Sequence, residues 1–150
     1  MKIVVGADHA GFPAKEDVVR FLQDLGHDVV DVGTHSEEPV DFPDIAGKVG
    51  DRILNGDADR GVMVCGTGVG AAIAANKIPG IRATLSHDTY TARQGVEHDD
   101  VNVLCMGAWL IGPIAIREIL AAYLAAEFST DEAFRRRVDK LAQMDAAGRE

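Results

Sequence analysis

Short apolar runs alternate with helical patterns along this chain, and that alternation limits the possible folds more than any other feature. Residues 3–5, 28–32, 61–65, 82–85 and 101–106 have the length and side-chain content of strands. Residues 12–25, 44–55, 70–76, 88–97 and 113–128 read as helices. In the first of these, Val18, Val19, Leu22 and Leu25 recur at helical spacing and Gly26 supplies a stop. Repeated βα units predict a parallel sheet with helices on both faces. At 150 residues the chain reads as one domain, 1–150, large enough to bury a single core. In open parallel sheets ligands bind beyond the carboxyl ends of the strands, at a switch point. The polar residues expected there are Asp8 and His9, the turn 65–70, and Ser86, His87 and Asp88.

The turn carries the strongest chemical signal. Cys65 ends an apolar run, and Gly66, Thr67, Gly68, Val69 and Gly70 lead into Ala71-Ala72-Ile73-Ala74-Ala75-Asn76-Lys77. The glycines allow a tight turn and a close ligand. Free N–H groups at a helix start favour an oxyanion or a phosphate, and the same field favours a cysteine thiolate. One turn thus offers a base or nucleophile beside a cradle for negative charge. The spacing is not the dinucleotide fingerprint, whose third glycine falls one residue later and usually follows the first strand. Asp88 nevertheless lies where a ribose-binding acid could sit, which keeps a nucleotide reading open. No Gly-Lys-Ser/Thr follows, so this is not a Walker loop.

A net charge of −9 disfavours non-specific binding to nucleic acid or anionic membrane, while local fields still permit an anionic small substrate. No apolar run approaches the length of a membrane span, and residues 1–5 are too short for a signal peptide. Cys65 and Cys105 do not make a disulfide framework, which fits a reduced, cytoplasmic protein. A lone cysteine is most often a small buried hydrophobe; Cys105 fits that description, and the glycine turn lifts Cys65 above it. None of the histidines has metal-ligand spacing. His27 and His35 read as surface residues, His9 lies at the ligand edge, and His98 alone reads as a loop residue.

Residues 131–148 differ from the rest. Arg135, Arg136, Arg137 and Lys140 form a basic stripe, and Phe134, Val138, Leu141 and Met144 an apolar one. An extra helix outside the sheet either packs on a partner subunit or is a solvated terminal helix.

In order along the chain stand Gly6-Ala7-Asp8-His9-Ala10-Gly11, Val40-Asp41-Phe42-Pro43, the cysteine–glycine turn with Ala74-Ala75-Asn76-Lys77, Gly80-Ile81-Arg82-Ala83, and Glu97-His98-Asp99-Asp100 with Asn102-Val103. Over nearly its whole length the chain resembles type B ribose-5-phosphate isomerases and the related galactose-6-phosphate isomerases. That resemblance implies a Rossmann-like three-layer α/β/α fold with a five-stranded parallel sheet. It implies a homodimer or tetramer with sites between subunits, a sugar-phosphate substrate, and no metal or organic cofactor. It makes Cys65 the base that moves a proton between C1 and C2 through a cis-enediolate. The N–H groups of the turn 66–70 and the Thr67 hydroxyl would receive the oxyanion. His98 would open the sugar ring, and Asp8 and His9 would bind substrate.

The chain also departs from that pattern. Phe42 stands in place of a usual tyrosine and Asp99 in place of an asparagine. Trp109 and Ala133 replace arginines of the phosphate grip, and Phe134 replaces a histidine. Arg137 matches the remaining arginine, and Arg136 lies one turn from the vacated position. The proton-transfer residues are intact and the phosphate end is altered, which predicts a shifted substrate preference. Trp109 could stack on an apolar sugar face instead. The reading from a different class is a non-catalytic sugar- or nucleotide-binding module on the same fold.

Overall fold

A computed structural model describes residues 1–148. Along the chain run β1 (Lys2–Ala7), α1 (Phe12–Asp24), β2 (Asp28–Asp31), α2 (Phe42–Leu54), β3 (Arg60–Cys65), α3 (Val69–Ala75), β4 (Ala83–Leu85), α4 (Thr89–Asp99), β5 (Val103–Gly107), α5 (Pro113–Ala125) and α6 (Glu132–Ala147). The strands form one sheet in the order β2-β1-β3-β5-β4, and every neighbouring pair is parallel.

The strand residues alternate between two buried cores, as a period of two demands. Ile3, Val5, Ala7, Val62, Val64, Leu104 and Met106 face α1, α4 and α5. Val4, Met63, Val103 and Cys105 face α2 and α3. Helices on both faces explain why the strands read as continuous apolar runs. Because α1 and α2 lie on opposite faces, the chain reverses its winding between β1 and β3. The crevice where ligands bind such sheets therefore opens above those two neighbours.

Some boundaries differ from the sequence reading for identifiable reasons. The fifth helix stops at Ala125, three residues before the expected end. There the Arg60 guanidinium donates to the carbonyls of Tyr123 at 2.6 Å and Ala126 at 2.7 Å, satisfying the helix end. The fourth helix runs on to Asp99 and ends where Asp100 takes a left-handed conformation, φ 49°. His98 accordingly sits in a final helical turn and not in a loop. The last strand starts at Val103, because the Asn102 side chain is occupied in a turn, accepting from the Arg82 N–H and donating to the Gly80 carbonyl.

The apolar stripe of α6, expected against a partner, is divided between contacts within its own chain and exposed positions. Val138 is buried, Phe134 stacks on His98 of α4, and Asp145 accepts the Gly80 N–H at 2.9 Å. Leu141 and Met144 remain exposed. No helix among the described residues is long and apolar enough to cross a membrane.

Candidate active site

The carboxyl ends of β1, β3 and β5 bring together residues far apart in sequence. Ala7 lies beside Val64, and Cys65 beside Gly107. The register carries Asp8 to Cys65: the thiol donates to Asp8 Oδ2 at 2.8 Å. Asp8 is buried, and its Oδ1 accepts the Gly11 N–H at 2.9 Å. Gly11 has no substitute in that approach, because a Cβ there would lie 1.9 Å from the Val64 carbonyl oxygen.

After Cys65 the turn needs glycine for two different reasons. Gly68 has φ +80°, a conformation costly for any residue with a side chain, and a Cβ on it would lie 2.9 Å from the Met106 backbone. Gly66 and Gly70 make room for aromatic rings. The Trp109 indole packs on Gly66 and the Phe42 ring on Gly70, each so close that a Cβ would meet it at 2.8 Å. The turn is thus bracketed by two rings, with Thr67 and Val69 exposed between them. The Thr67 hydroxyl accepts the Val69 N–H at 3.3 Å, which leaves its own proton to donate.

His9 Nδ1 accepts the Val40 N–H at 3.2 Å, placing the ring proton on Nε2. His87, at the ligand edge but with no assigned role, accepts the Gly107 N–H through Nε2 at 2.9 Å. Asp88, the candidate ribose acid, is occupied elsewhere. Its carboxylate caps α4 by accepting the N–H and hydroxyl of Thr91, and those bonds hold it below the usual carboxylate range. This removes the support for a nucleotide reading.

The thiol itself departs from expectation. Burial pushes the half-buried Cys65 up from its ordinary value, and the hydrogen bond to Asp8 and the charge of that carboxylate push it further. The N–H groups of Gly68 and Gly66 act in the expected downward direction, and they are outweighed. Burial also drives Cys105 upward, consistent with a core thiol.

The remaining predicted residues lie toward the opposite, amino-terminal ends of the strands. His98 and Asp99 end α4, beside the segment that enters β5. The Asn102 carbonyl accepts the Gly61 N–H at 2.8 Å, and Gly61 stands four residues before Cys65 on β3. Four strand residues span about 13 Å, so His98 and Cys65 of one chain cannot meet. Phe134 lies against His98, and the Arg137 guanidinium stands 5.5 Å from the Phe134 centroid. Arg136 is exposed on the same helix. The sequence-predicted residues therefore fall into two separate groups on one chain. Asp8, His9, Cys65, the turn 66–70 and Trp109 lie in the first; His98, Asp99, Arg136 and Arg137 lie in the second. The contacts of Asp8 with Cys65, of His87 with Gly107 and of Phe134 with His98 have no local sequence signal. Only the neighbouring of β1 and β3 at a switch point could have suggested the first.

Comparison with known proteins adds a third kind of observation. The ribose/galactose isomerase family profile matches residues 3–141. A ribose-5-P isomerase B of Listeria innocua is 38% identical over 149 residues, covering 99% of this chain and 100% of that protein. A D-erythrulose-4-phosphate isomerase of Mycolicibacterium smegmatis is 36% identical over 150 residues, covering 98% and 99%. The structure of Clostridium thermocellum ribose-5-phosphate isomerase B superposes with a TM-score of 0.95 at 41% identity, covering 98% of this chain and 99% of that one.

Proposed function

The chain belongs to the ribose/galactose isomerase family, and from that membership we infer an aldose–ketose isomerase of sugar phosphates that works through a cis-enediolate. The observation that carries the mechanism is the Cys65 sulfur at the switch point, bonded to Asp8 and adjoining the glycine turn. Moving one proton between adjacent carbons requires a base near both, and Cys65 is the group so placed. The oxygen that gains charge is met by N–H groups of the turn 66–70 and by the Thr67 hydroxyl. Asp8 and the Nε2–H of His9 are placed to hold sugar hydroxyls.

A complete site takes a second copy of the chain. His98 opens the ring of a cyclic substrate from the partner subunit, and Arg137, with Arg136, reaches the phosphate from the same side. The separation of the two groups across one sheet supports this reading. So does the exposed apolar surface of Val69, Ile73 and Leu85 beside the turn, which suits burial in a dimer.

The phosphate end points to a shifted preference. Trp109 and Ala133 supply no charge where arginines are usual in the resemblance, and Asp99 adds a negative one. Two relatives of similar identity are named for different chain lengths, a ribose 5-phosphate and an erythrulose 4-phosphate. A panel of aldose and ketose phosphates with four to six carbons, with the free sugars alongside, tests both parts. Turnover of at least one phosphorylated member, abolished in Cys65→Ala, is the expected result. Binding without turnover across the panel refutes the isomerase reading and leaves a sugar-binding module.

A further inference from the structure

Asp8 has both carboxylate oxygens engaged by its own chain. Oδ1 accepts the Gly11 backbone N–H, and Oδ2 accepts the Cys65 thiol at 2.8 Å. At 5% exposure it has little water to turn to. The two bonds are unequal. The N–H bond is built into the start of α1, where Gly11 and Phe12 also donate to the Asp8 carbonyl. The thiol is a weak donor, whereas a sugar hydroxyl makes a short, charge-assisted bond to a carboxylate. A hydroxyl arriving at Oδ2 therefore displaces the thiol.

We propose that Asp8 keeps the Cys65 thiol protonated in the free enzyme, and that a substrate hydroxyl takes over Oδ2 and releases the sulfur to ionise. The exchange removes the thiol's hydrogen bond to Asp8, while the N–H groups of Gly66 and Gly68 continue to favour the thiolate. The thiol proton passes to solvent, and the thiolate then accepts the C2 proton of the aldose. Other titratable groups around the sulfur do not substitute for Asp8. Cys105, behind it on β5, is fully buried. His9 Nδ1 is held by the Val40 N–H, and His87 Nε2 by the Gly107 N–H. Asp8 is in this respect a positioning residue for the base. The arrangement withholds a reactive thiolate from oxidants and electrophiles until substrate is bound.

The proposal rests on Cys65 being the base, and its test separates the two. The pH dependence of Cys65 alkylation by iodoacetamide, read on the Cys65 peptide by mass spectrometry, reports the free thiol directly. The wild-type midpoint should lie above that of an ordinary thiol. Asp8→Asn keeps the shape and the Oδ1 acceptor but removes the charge. It should lower the midpoint by about one pH unit or more, making alkylation about tenfold faster at neutral pH. Turnover should fall in the same variant, so thiol reactivity and catalysis move in opposite directions. A merely structural role would lower both. In wild type, the midpoint of the rising, acid-side limb of kcat/KM, which reports free enzyme, should exceed that of kcat, which reports the complex. Equal midpoints in that pair, or an unchanged alkylation midpoint in Asp8→Asn, overturn the proposal. Should Asp8→Asn fail to fold, the wild-type pair decides. Normal turnover in Cys65→Ala would refute the base and leave the alkylation result standing.

Discussion

The His98 imidazole lies face to face on the Phe134 ring, with centroids 3.9 Å apart and planes inclined by 15°. One residue ends α4 and the other begins α6, so the contact joins the C-terminal helix to the proposed ring-opening group. One turn along α6 from Phe134, the Arg137 guanidinium stands 5.5 Å from the same ring centroid. The ring thus contacts both His98 and Arg137.

Phe134→Leu retains apolar volume and removes the stack. Aromatic pairs contribute about 0.5–1.5 kcal/mol beyond burial, so turnover of a ring-closed sugar phosphate should drop by roughly threefold to tenfold. Phe134→Tyr should restore it. Steady-state kinetics beside thermal melts check this. Equal turnover in the leucine and tyrosine variants would show that only volume matters.

His98 should be needed by some substrates and not by others. Ribose 5-phosphate closes a ring through its free O4. A four-carbon 4-phosphate cannot, because its O4 is esterified. His98→Asn should therefore lower kcat/KM for ribose 5-phosphate by about 10²-fold, the usual contribution of a general acid–base group. Turnover of D-erythrulose 4-phosphate should fall far less. An equal loss on both substrates would assign His98 to binding or to the proton transfer itself.

Subunit mixing tests where the second group of residues comes from. Cys65→Ala and His98→Asn should each retain about one per cent or less of wild-type activity on ribose 5-phosphate. Unfolded together and refolded, they should recover about one quarter of wild-type activity, the share expected when random pairing makes half the dimers mixed and each has one intact site. No recovery, with mixed dimers demonstrated by native mass spectrometry, would mean that both residues serve a site within one chain. Ile73→Asp, on the exposed surface beside the turn, should give a monomer by light scattering and abolish the same activity.

Gly68→Ala examines the turn. The left-handed backbone costs an alanine roughly 1–2 kcal/mol, and its Cβ would also press on Leu85 and the Met106 backbone. The fold should survive with a lowered melting temperature, while kcat falls more than KM rises, because the oxyanion donors are displaced. Unchanged kcat would remove the turn from the chemistry.

Much of the architecture is written in local pattern. Ile3, Val4 and Val5, Val62, Met63 and Val64, and Val103 to Met106 are apolar at every position because both sheet faces are covered. Gly68 marks a backbone conformation costly for any side chain, and Cys65 before it marks a strand end. These features depend on residues a few positions apart, so periodicity and backbone sterics make them legible. They suffice for a parallel α/β sheet with its chemistry beyond the carboxyl ends of the strands.

Other properties depend on neighbours remote in sequence. The helix-start field alone predicts a favoured Cys65 thiolate. The structure sets burial and the Asp8 carboxylate, 57 residues away, against that field, and together they prevail. His98 resembles a loop residue until α4 is seen to continue through Asp99, and nothing near Phe134 in sequence announces its stack on His98. Strand period and turn type follow from the chain's own covalent neighbours, and so the sequence by itself determined them. A thiol's charge, a ring's stacking partner and the end of the sheet at which a histidine emerges follow from which atoms share a space. Only the tertiary structure decided those, because burial and Coulomb interaction act through distance and not through sequence separation.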